Sequence, residues 1–163
     1  MEIPTPPPLR FTDPMIRSLK SGEIFVFGSN LDGRHGKGAA KTAQQKFGAR
    51  HGVAEGLTGQ SYALPTVGKH LSRMPIEDIG HHIKRFLDFA LSRPDLTFLV
   101  TEVGCGLAGH HVDKIGPFFA NVINNASLSH VILPRAFHRQ SNNPEWCHGC
   151  NPDLCSGCGP LPK

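Results

Sequence analysis

Two glycine-rich segments, each placed after an apolar run and before a helix-like segment, most constrain how this chain folds. The first loop covers residues 28–40 (GSNLDGRHGKGAA) and the second loop covers residues 104–109 (GCGLAG). Glycine lets the backbone approach a ligand closely, and a following helix adds the positive end of its dipole. Two such loops predict a ligand with two phosphates, or with a phosphate and a sugar. The alternative is that these glycines only make tight turns between strands and helices.

Length and composition are those of a single globular domain, because the chain has 163 residues and 39% hydrophobic residues. No apolar stretch reaches the roughly 18 residues of a membrane span. Residues 1–8 lack the basic and apolar regions of a signal peptide, so a cytoplasmic protein is expected. The net charge of +4 and the ten histidines mildly favour anionic ligands, but the charge is too dispersed to indicate nucleic acid.

The order of apolar and helix-like segments predicts an α/β fold. Residues 1–21 form a proline-rich segment with a short helix over 15–20. Strands are predicted over 24–27, 60–64 (closed by Pro65), 96–101 and 130–133, and helices over 37–47, 75–93 and 112–123. This alternation favours a largely parallel sheet with helices on both faces. Ligands of such sheets bind beyond the carboxyl ends of the strands, where both loops lie.

The loop sequences resemble those of a known family. Residues 27–40 are similar to the first ligand loop of macro domains, in which an asparagine near a strand end precedes a glycine run. Residues 103–109 are similar to their phosphate-cradling loop. The Gly-Cys-Gly-Leu form is typical of the branch with the terminal ADP-ribose protein glycohydrolases and the ADP-ribose-1''-phosphate phosphatases. Residues 61–66 match the strand between these loops, and the resemblance covers residues 22–134.

The resemblance implies a three-layer α/β/α macro-like sandwich over residues 22–137, with a mainly parallel mixed sheet and an ADP-ribose pocket. Backbone amides of residues 104–109 would hold the diphosphate, and residues 28–39 would surround the distal ribose. The implied ligand-binding residues are Gly28, Ser29, Asn30, Gly36, Lys37, Gly38, Ala39, Thr66, Gly104, Cys105, Gly106, Leu107, Ala108, Gly109 and His110.

Three side chains are candidates for catalysis. The resemblance places Asn30 against a ribose hydroxyl or an attacking water. The branch that forms a covalent sugar adduct has a lysine directly after the middle strand; here Lys69 is the nearest lysine, and an exposed loop residue is the alternative reading. His35 is a candidate general acid or base, or else a solvated loop histidine. Cys105 is either a reactive thiol at a helix N-terminus or a small packing residue.

The expected function is that of an ADP-ribose-binding hydrolase, of glycohydrolase or ADP-ribose-1''-phosphatase type. Its substrate would carry ADP-ribose on a protein, a nucleic acid or a small molecule. The alternative is a non-catalytic reader or sequestering protein for ADP-ribose or a related nucleotide. The displaced Lys69 favours this alternative, as does Ala108, which stands where the glycohydrolase branch has an aspartate.

The tail, residues 138–163, has four cysteines in a C-x2-C-x4-C-x2-C pattern. Two such knuckles with a turn between them suit tetrahedral zinc, so a structural zinc-binding appendage is predicted, and no redox cofactor. Free thiols or disulfides are the alternative, and disulfides are disfavoured without a secretion signal. A third hypothesis makes the tail a docking module for nucleic acid or a protein partner. The predicted zinc ligands are Cys147, Cys150, Cys155 and Cys158.

Overall fold

A five-stranded sheet organises the α/β fold in the computed structural model, which describes residues 10–141. The strands are β1 (Glu23–Asn30), β2 (Gly56–Thr58), β3 (Ser61–Val67), β4 (Thr97–Val100) and β5 (Val131–Ile132). Their order across the sheet is β2-β3-β1-β4-β5. β1 runs parallel to both β3 and β4, β5 runs parallel to β4, and β2 alone is antiparallel to its neighbour. The mainly parallel sheet predicted from the sequence is therefore confirmed.

Both faces of β1 are buried, which explains its continuous apolar run. Successive side chains of a strand point to opposite faces. Ile24 and Val26 join one hydrophobic cluster, and Phe25 and Phe27 join a second. The first cluster packs against α2 (Ile76–Ser92), and the second against α1 (Gly38–Lys46). Helices therefore cover both faces of the sheet.

The helix predicted over residues 37–47 is α1. Ala40 and Ala43 are buried against the sheet together with Phe47, as the spacing of apolar residues predicts. Gly48 follows with φ +78°, a left-handed conformation that favours glycine and ends the helix. A side chain at Gly48 would also lie 3.1 Å from the Cα of Gly59, so the turn admits no larger residue without rearrangement.

The second predicted helix is α2, which begins after Pro75 and ends before Pro94. Glu77 and Asp78 lie in its first turn, where negative charge suits the helix dipole. Its apolar stripe is buried in the first cluster, and Phe86 is fully buried between the rings of Tyr62 and Phe98, with centroid distances of 4.9 and 5.4 Å. The stripe residues are Ile79, Ile83, Phe86, Leu87 and Ala90.

A continuous helix over residues 112–123, predicted from the sequence, is wrong. The segment is broken into α3 (Val112–Ile115), a 3-10 turn (Gly116–Phe119) and α4 (Ala120–Asn124). The cause is Pro117, which has no backbone N–H and whose ring clashes with the preceding helical turn.

Two further predictions about local structure need correction. Residues 15–20 form no helix; the Asp13 carboxylate accepts the Met15 amide at 2.8 Å and makes a turn instead. β3 does not stop at Pro65 but continues to Val67. β2 pairs with β3 only as far as Ala63, so the missing N–H of Pro65 falls where β3 has become an edge.

Four elements have no counterpart in the sequence-based prediction: β2, the 3-10 turns Lys69–Leu71 and Ala126–Leu128, and α5 (Arg135–Ser141). Phe137 of α5 is fully buried and stacks on Phe119 at 5.2 Å. The N-terminal segment is anchored nearby, because the Thr12 amide and hydroxyl donate to the carbonyls of Leu133 and Ile132, both at 2.9 Å. Within residues 10–141, no helix is both long and apolar enough to cross a bilayer.

Replacing Phe86 by alanine is expected to destabilise the protein by about 3–5 kcal/mol, because the change leaves a cavity between two rings and the sheet. The control is Leu91→Ala on the same helix, where the side chain is 43% exposed and the expected loss is below about 1 kcal/mol. Urea denaturation of both variants measures the difference. Equal stability losses would contradict the packing described for α2.

Candidate functional site

Three parallel strands, β1, β3 and β4, end at one edge of the sheet, and each leads into a loop of interest. The first loop follows β1, the second loop follows β4, and residues 68–73, here called the β3 loop, follow β3. The strand ends are closely packed: a β-carbon at Gly28 would lie 2.9 Å from Oγ1 of Thr66 and 3.6 Å from the amide nitrogen of Gly104. The fold thus brings together these three predicted ligand residues.

The second loop carries a run of backbone amides that make no hydrogen bond within residues 10–141. These are the amides of Gly104, Gly106, Leu107 and Ala108. By contrast, the Cys105 amide donates to the Glu102 carbonyl at 3.2 Å and the Gly109 amide to the Gly106 carbonyl at 3.0 Å. A β-carbon at Gly106 would meet no atom within 4 Å, so space is open there. Gly104 itself is buried, so the accessible donors are the amides of Gly106, Leu107 and Ala108. Accessible unpaired amides are the donors that an anion needs.

The first loop ends in a second group of unpaired amides. The Gly38, Ala39 and Ala40 amides begin α1 and have no hydrogen-bond partner within residues 10–141. Lys37 occupies the N-cap position with no side-chain cap, and the first turn has no acidic residue. A capping side chain is what usually satisfies such amides. The N-terminus of α1 is therefore free to accept an anion, and Gly36 beside it also faces open space.

Side chains inside the first loop mainly hold the loop itself. The side-chain Nδ2 of Asn30 donates to the Arg34 carbonyl at 2.7 Å, and its Oδ1 accepts from the Arg34 backbone N–H at 3.0 Å. One N–H and one lone pair of the carboxamide remain for a ligand. The Ser29 hydroxyl is buried and donates to the Ala54 carbonyl, so it is not available for ligand binding.

His35 lies beneath the first loop, not in the open space above it. The side chain is 2% exposed, its Nε2 lies 3.0 Å from the Arg50 carbonyl, and its ring packs edge-on against Phe27 at 5.2 Å. In this position the ring does not reach the surface, where a general acid or base would meet a ligand. Its Nδ1 is buried without a hydrogen-bond partner among the described residues.

Lys69 is exposed in the β3 loop, and the two residues that follow it have a strained backbone. His70 and Leu71 have φ values of 53° and 59°, which are unfavourable for residues other than glycine. The loop is fixed because the His70 amide donates to Asp32 Oδ2 at 2.7 Å and the Gly68 amide to the Ser72 carbonyl at 2.8 Å. Asp32, which sequence reasoning missed, therefore joins the first loop to the β3 loop.

Two adjoining clefts flank the loops on the side of α2. The larger, about 580 Å³, lies between Leu31, the β3 loop and the first half of α2. The smaller, about 400 Å³, lies between residues 73–76, His110 and Lys114. The His110 ring is held there by its Nε2, 3.1 Å from the Met74 carbonyl. Neither cleft is lined by the unpaired loop amides, which stand on a more open surface.

The Cys105 thiol is a packing residue, as one of the two sequence-based readings has it. Its Sγ lies 3.6 Å from the Val103 carbonyl, and the side chain packs against the first hydrophobic cluster. Burial raises the pKa of Cys105 to about 12, and the nearby Glu102 and Asp113 carboxylates add to the increase. The thiol is therefore neutral over the physiological range and is not an activated nucleophile.

The predicted zinc site lies outside the described residues, because all four of its cysteines belong to residues 142–163. Within residues 10–141, no group of three or more histidine, cysteine, aspartate or glutamate side chains is placed to hold a metal ion. Zinc binding by the tail therefore stays a prediction.

Comparisons with known proteins give no family assignment. No family model, curated protein or solved structure matches this chain. Function is therefore inferred from the geometry of the loops and clefts.

Folded Cys105 is expected to react slowly with iodoacetamide up to about pH 10, because the thiolate is scarce below a pKa of about 12. The neutral thiol is favoured by the fold, so its stabilising contribution is present at neutral pH and is lost as the pH rises from 9 towards 12. Peptide-resolved mass spectrometry separates Cys105 from the tail cysteines, and urea-unfolded protein is the control. Labelling at pH 8 as fast as in urea would show that the thiol is neither buried nor desolvated.

Proposed function

We propose that this protein binds ADP-ribose at the loops after β1 and β4 and hydrolyses its bond to an acceptor. The domain is proposed to be macro-like, in line with the resemblance of residues 22–134. The observation that carries the proposal is a group of unpaired amides in each of the loops that follow β1 and β4. One group is the amides of Gly106, Leu107 and Ala108, and the other belongs to the first turn of α1.

Unpaired backbone amides suit a diphosphate for an electrostatic reason. Each N–H carries a partial positive charge that needs no titration, and the N-terminus of a helix adds its dipole. The glycines at 36 and 106 keep side chains away from these donors. A diphosphate across the second loop would leave the distal ribose near the first loop, where Asn30 has one free N–H and one free lone pair.

Catalysis in this account is positioning combined with electrostatic stabilisation. The loops would fix the diphosphate, and Asn30 would orient a water molecule at the anomeric carbon of the distal ribose. Lys69 lines the adjacent larger cleft. His35 is left out of the chemistry because it is buried beneath the first loop.

The Gly106→Glu variant is expected to weaken ADP-ribose binding about 100-fold or more, because the carboxylate would occupy the anion site. Gly106 has no positive φ and open space around it, so the variant is expected to fold normally. Gln45→Glu on the exposed face of α1 adds the same charge away from the loops and is the control. Titration calorimetry measures all three proteins. Unchanged affinity in Gly106→Glu, or no binding by the wild type at about 1 mM ADP-ribose, would sink the proposal.

The second candidate function is a non-catalytic reader of ADP-ribose. Several observations favour it: Ala108 offers no carboxylate, the Asn30 carboxamide is largely used inside its loop, and His35 is buried. A reader needs only the unpaired amides and no group that activates water.

Turnover distinguishes the two candidates. The wild type is incubated with an ADP-ribosylated peptide, an ADP-ribosylated oligonucleotide and ADP-ribose-1''-phosphate, and the products are separated by chromatography. The hydrolase proposal predicts release of free ADP-ribose from at least one substrate, at a rate that Gly106→Glu abolishes. Tight binding without release from any of the three would select the reader.

We also propose that the tail is a structural zinc-binding appendage and that the protein is cytoplasmic. Four tail thiolates would fold the chain that follows α5 around the metal, with a structural role and no part in the chemistry. Docking of a nucleic acid or protein partner by this tail is the remaining alternative for its function.

A further inference from the structure

The larger cleft is lined by an excess of basic side chains. Lys69 and Arg73 come from the β3 loop, Lys84 and Arg85 come from α2, and Asp78 is the one carboxylate among the lining residues. A surface of this kind attracts anions, with an effect that depends on how many of the cations are already paired. The pairing of each cation therefore decides whether the cleft has charge left for a ligand.

Two of the four cations are neutralised and two are not. Lys84 pairs with Asp88 at 3.3 Å, and Arg85 pairs with Glu55 at 2.9 Å. Lys69 and Arg73 make no ion pair within residues 10–141. Two unpaired positive charges on one short loop match the double negative charge of a phosphate monoester.

His82 adds a directed polar group to the same cleft. Its Nδ1 donates to Glu55 Oε2 at 2.7 Å, and the side chain is 12% exposed. Glu55 Oε2 also accepts a hydrogen bond from the Arg85 guanidinium. The nitrogens of Arg85 and His82 lie close to each other, but both are donors toward Glu55, so they do not hydrogen-bond to each other. The carboxylate fixes the ring orientation, as it does for functional histidines generally. Nε2 has no partner among the described residues and is not a buried orphan, so it faces solvent.

The strained β3 loop fixes the backbone positions of Lys69 and Arg73. A β-carbon at Gly68 would lie 2.4 Å from Ser72 Oγ, so the loop closes on itself tightly. Val67 and Arg73 form an isolated antiparallel bridge across its base. His70 and Leu71 in this loop have left-handed backbone conformations. The conformation of the loop that carries both cations is therefore determined by tertiary contacts and not by local preference. Such preorganisation lowers the entropy cost of binding.

We infer that the larger cleft is a second anion site, built from side chains, which takes a phosphate monoester through Lys69 and Arg73, with the His82 ring beside them. It is separate from the backbone amides of the two loops and does not depend on the proposed function. The smaller cleft shares Arg73 and adds Lys114, another cation without an ion pair within residues 10–141. The inferred ligand is a small molecule or an end group that carries a terminal phosphate.

The test follows the imidazole NMR signal of His82 during titration with inorganic phosphate at low salt. The signal is assigned by its loss in His82→Asn. The background protein is Gly106→Glu, so that binding at the second loop does not contribute. We expect saturable shifts of the His82 signal, and the Lys69→Ala/Arg73→Ala double variant is expected to weaken phosphate binding about tenfold or more. The double variant Lys41→Ala/Lys46→Ala on α1 is the control for lost charge.

Dimethyl phosphate, a monoanion, distinguishes a monoester site from one for the phosphodiesters of nucleic acid, and it is expected to bind at least about tenfold more weakly. Equal affinity for the two compounds would overturn the monoester assignment. The inferred site would be overturned if Lys69→Ala/Arg73→Ala bound phosphate as tightly as the background protein does. It would also be overturned if the α1 control weakened phosphate binding by the same factor. If the double variant fails to fold, Lys69→Ala alone, which changes an exposed side chain, is measured against Lys41→Ala by the same criterion. If the wild type did not bind ADP-ribose, the result for this second site would be unaffected.

Discussion

The parallel pairing of β1 with β3 on one side and with β4 on the other decides where every loop of interest begins. Parallel neighbours end at the same edge of a sheet, so the three loops that follow them start side by side. The pairing also requires close packing at that edge, since Gly28 leaves no room for a side chain beside Thr66. A shift of one residue in the β1–β3 register would turn the buried phenylalanines of β1 to the wrong face.

The edge carries two different kinds of group that suit an anion. The loops after β1 and β4 present backbone amides, whose partial charges are fixed in direction and independent of pH. The β3 loop presents Lys69 and Arg73, whose full charges are exposed and weakened by salt. Backbone donors favour specific binding of a phosphate in one orientation, whereas exposed cations favour attraction over a wider area. The first kind supports the proposed ADP-ribose site, and the second supports the inferred monoester site.

The sequence predicted the parts of the fold in which local pattern and tertiary packing agree. The apolar run of β1 and the apolar stripe of α2 are long and regular, and both elements are confirmed. The continuous helix predicted over residues 112–123 is wrong because Pro117 cannot continue the helical hydrogen-bond pattern. β2 has three half-buried residues and owes its existence to its partner strand, so no local signal indicates it.

For the candidate site, glycine patterns located the loops but not the groups that face a ligand. Counting free amides needs coordinates, because it depends on which carbonyls the loop itself satisfies, as at Cys105 and Gly109. His35 shows the same limit: its sequence position is inside the first loop, but its ring is buried against Phe27. The Glu55–His82 pair was missed because its two residues are 27 positions apart in the sequence. Arg73 was missed because no local pattern shows that it lines a cleft without an ion pair.

Backbone NMR during a titration with ADP-ribose is the sharpest measurement of whether the second loop binds an anion through its amides. The amide protons of Gly106, Leu107 and Ala108 are expected to move downfield in a saturable manner, since each would gain a charge-assisted hydrogen bond. The amides of Cys105 and Gly109, which are already bonded within the loop, are expected to move much less. If binding saturates while the amides of Gly106, Leu107 and Ala108 do not shift, the second loop is not an anion site.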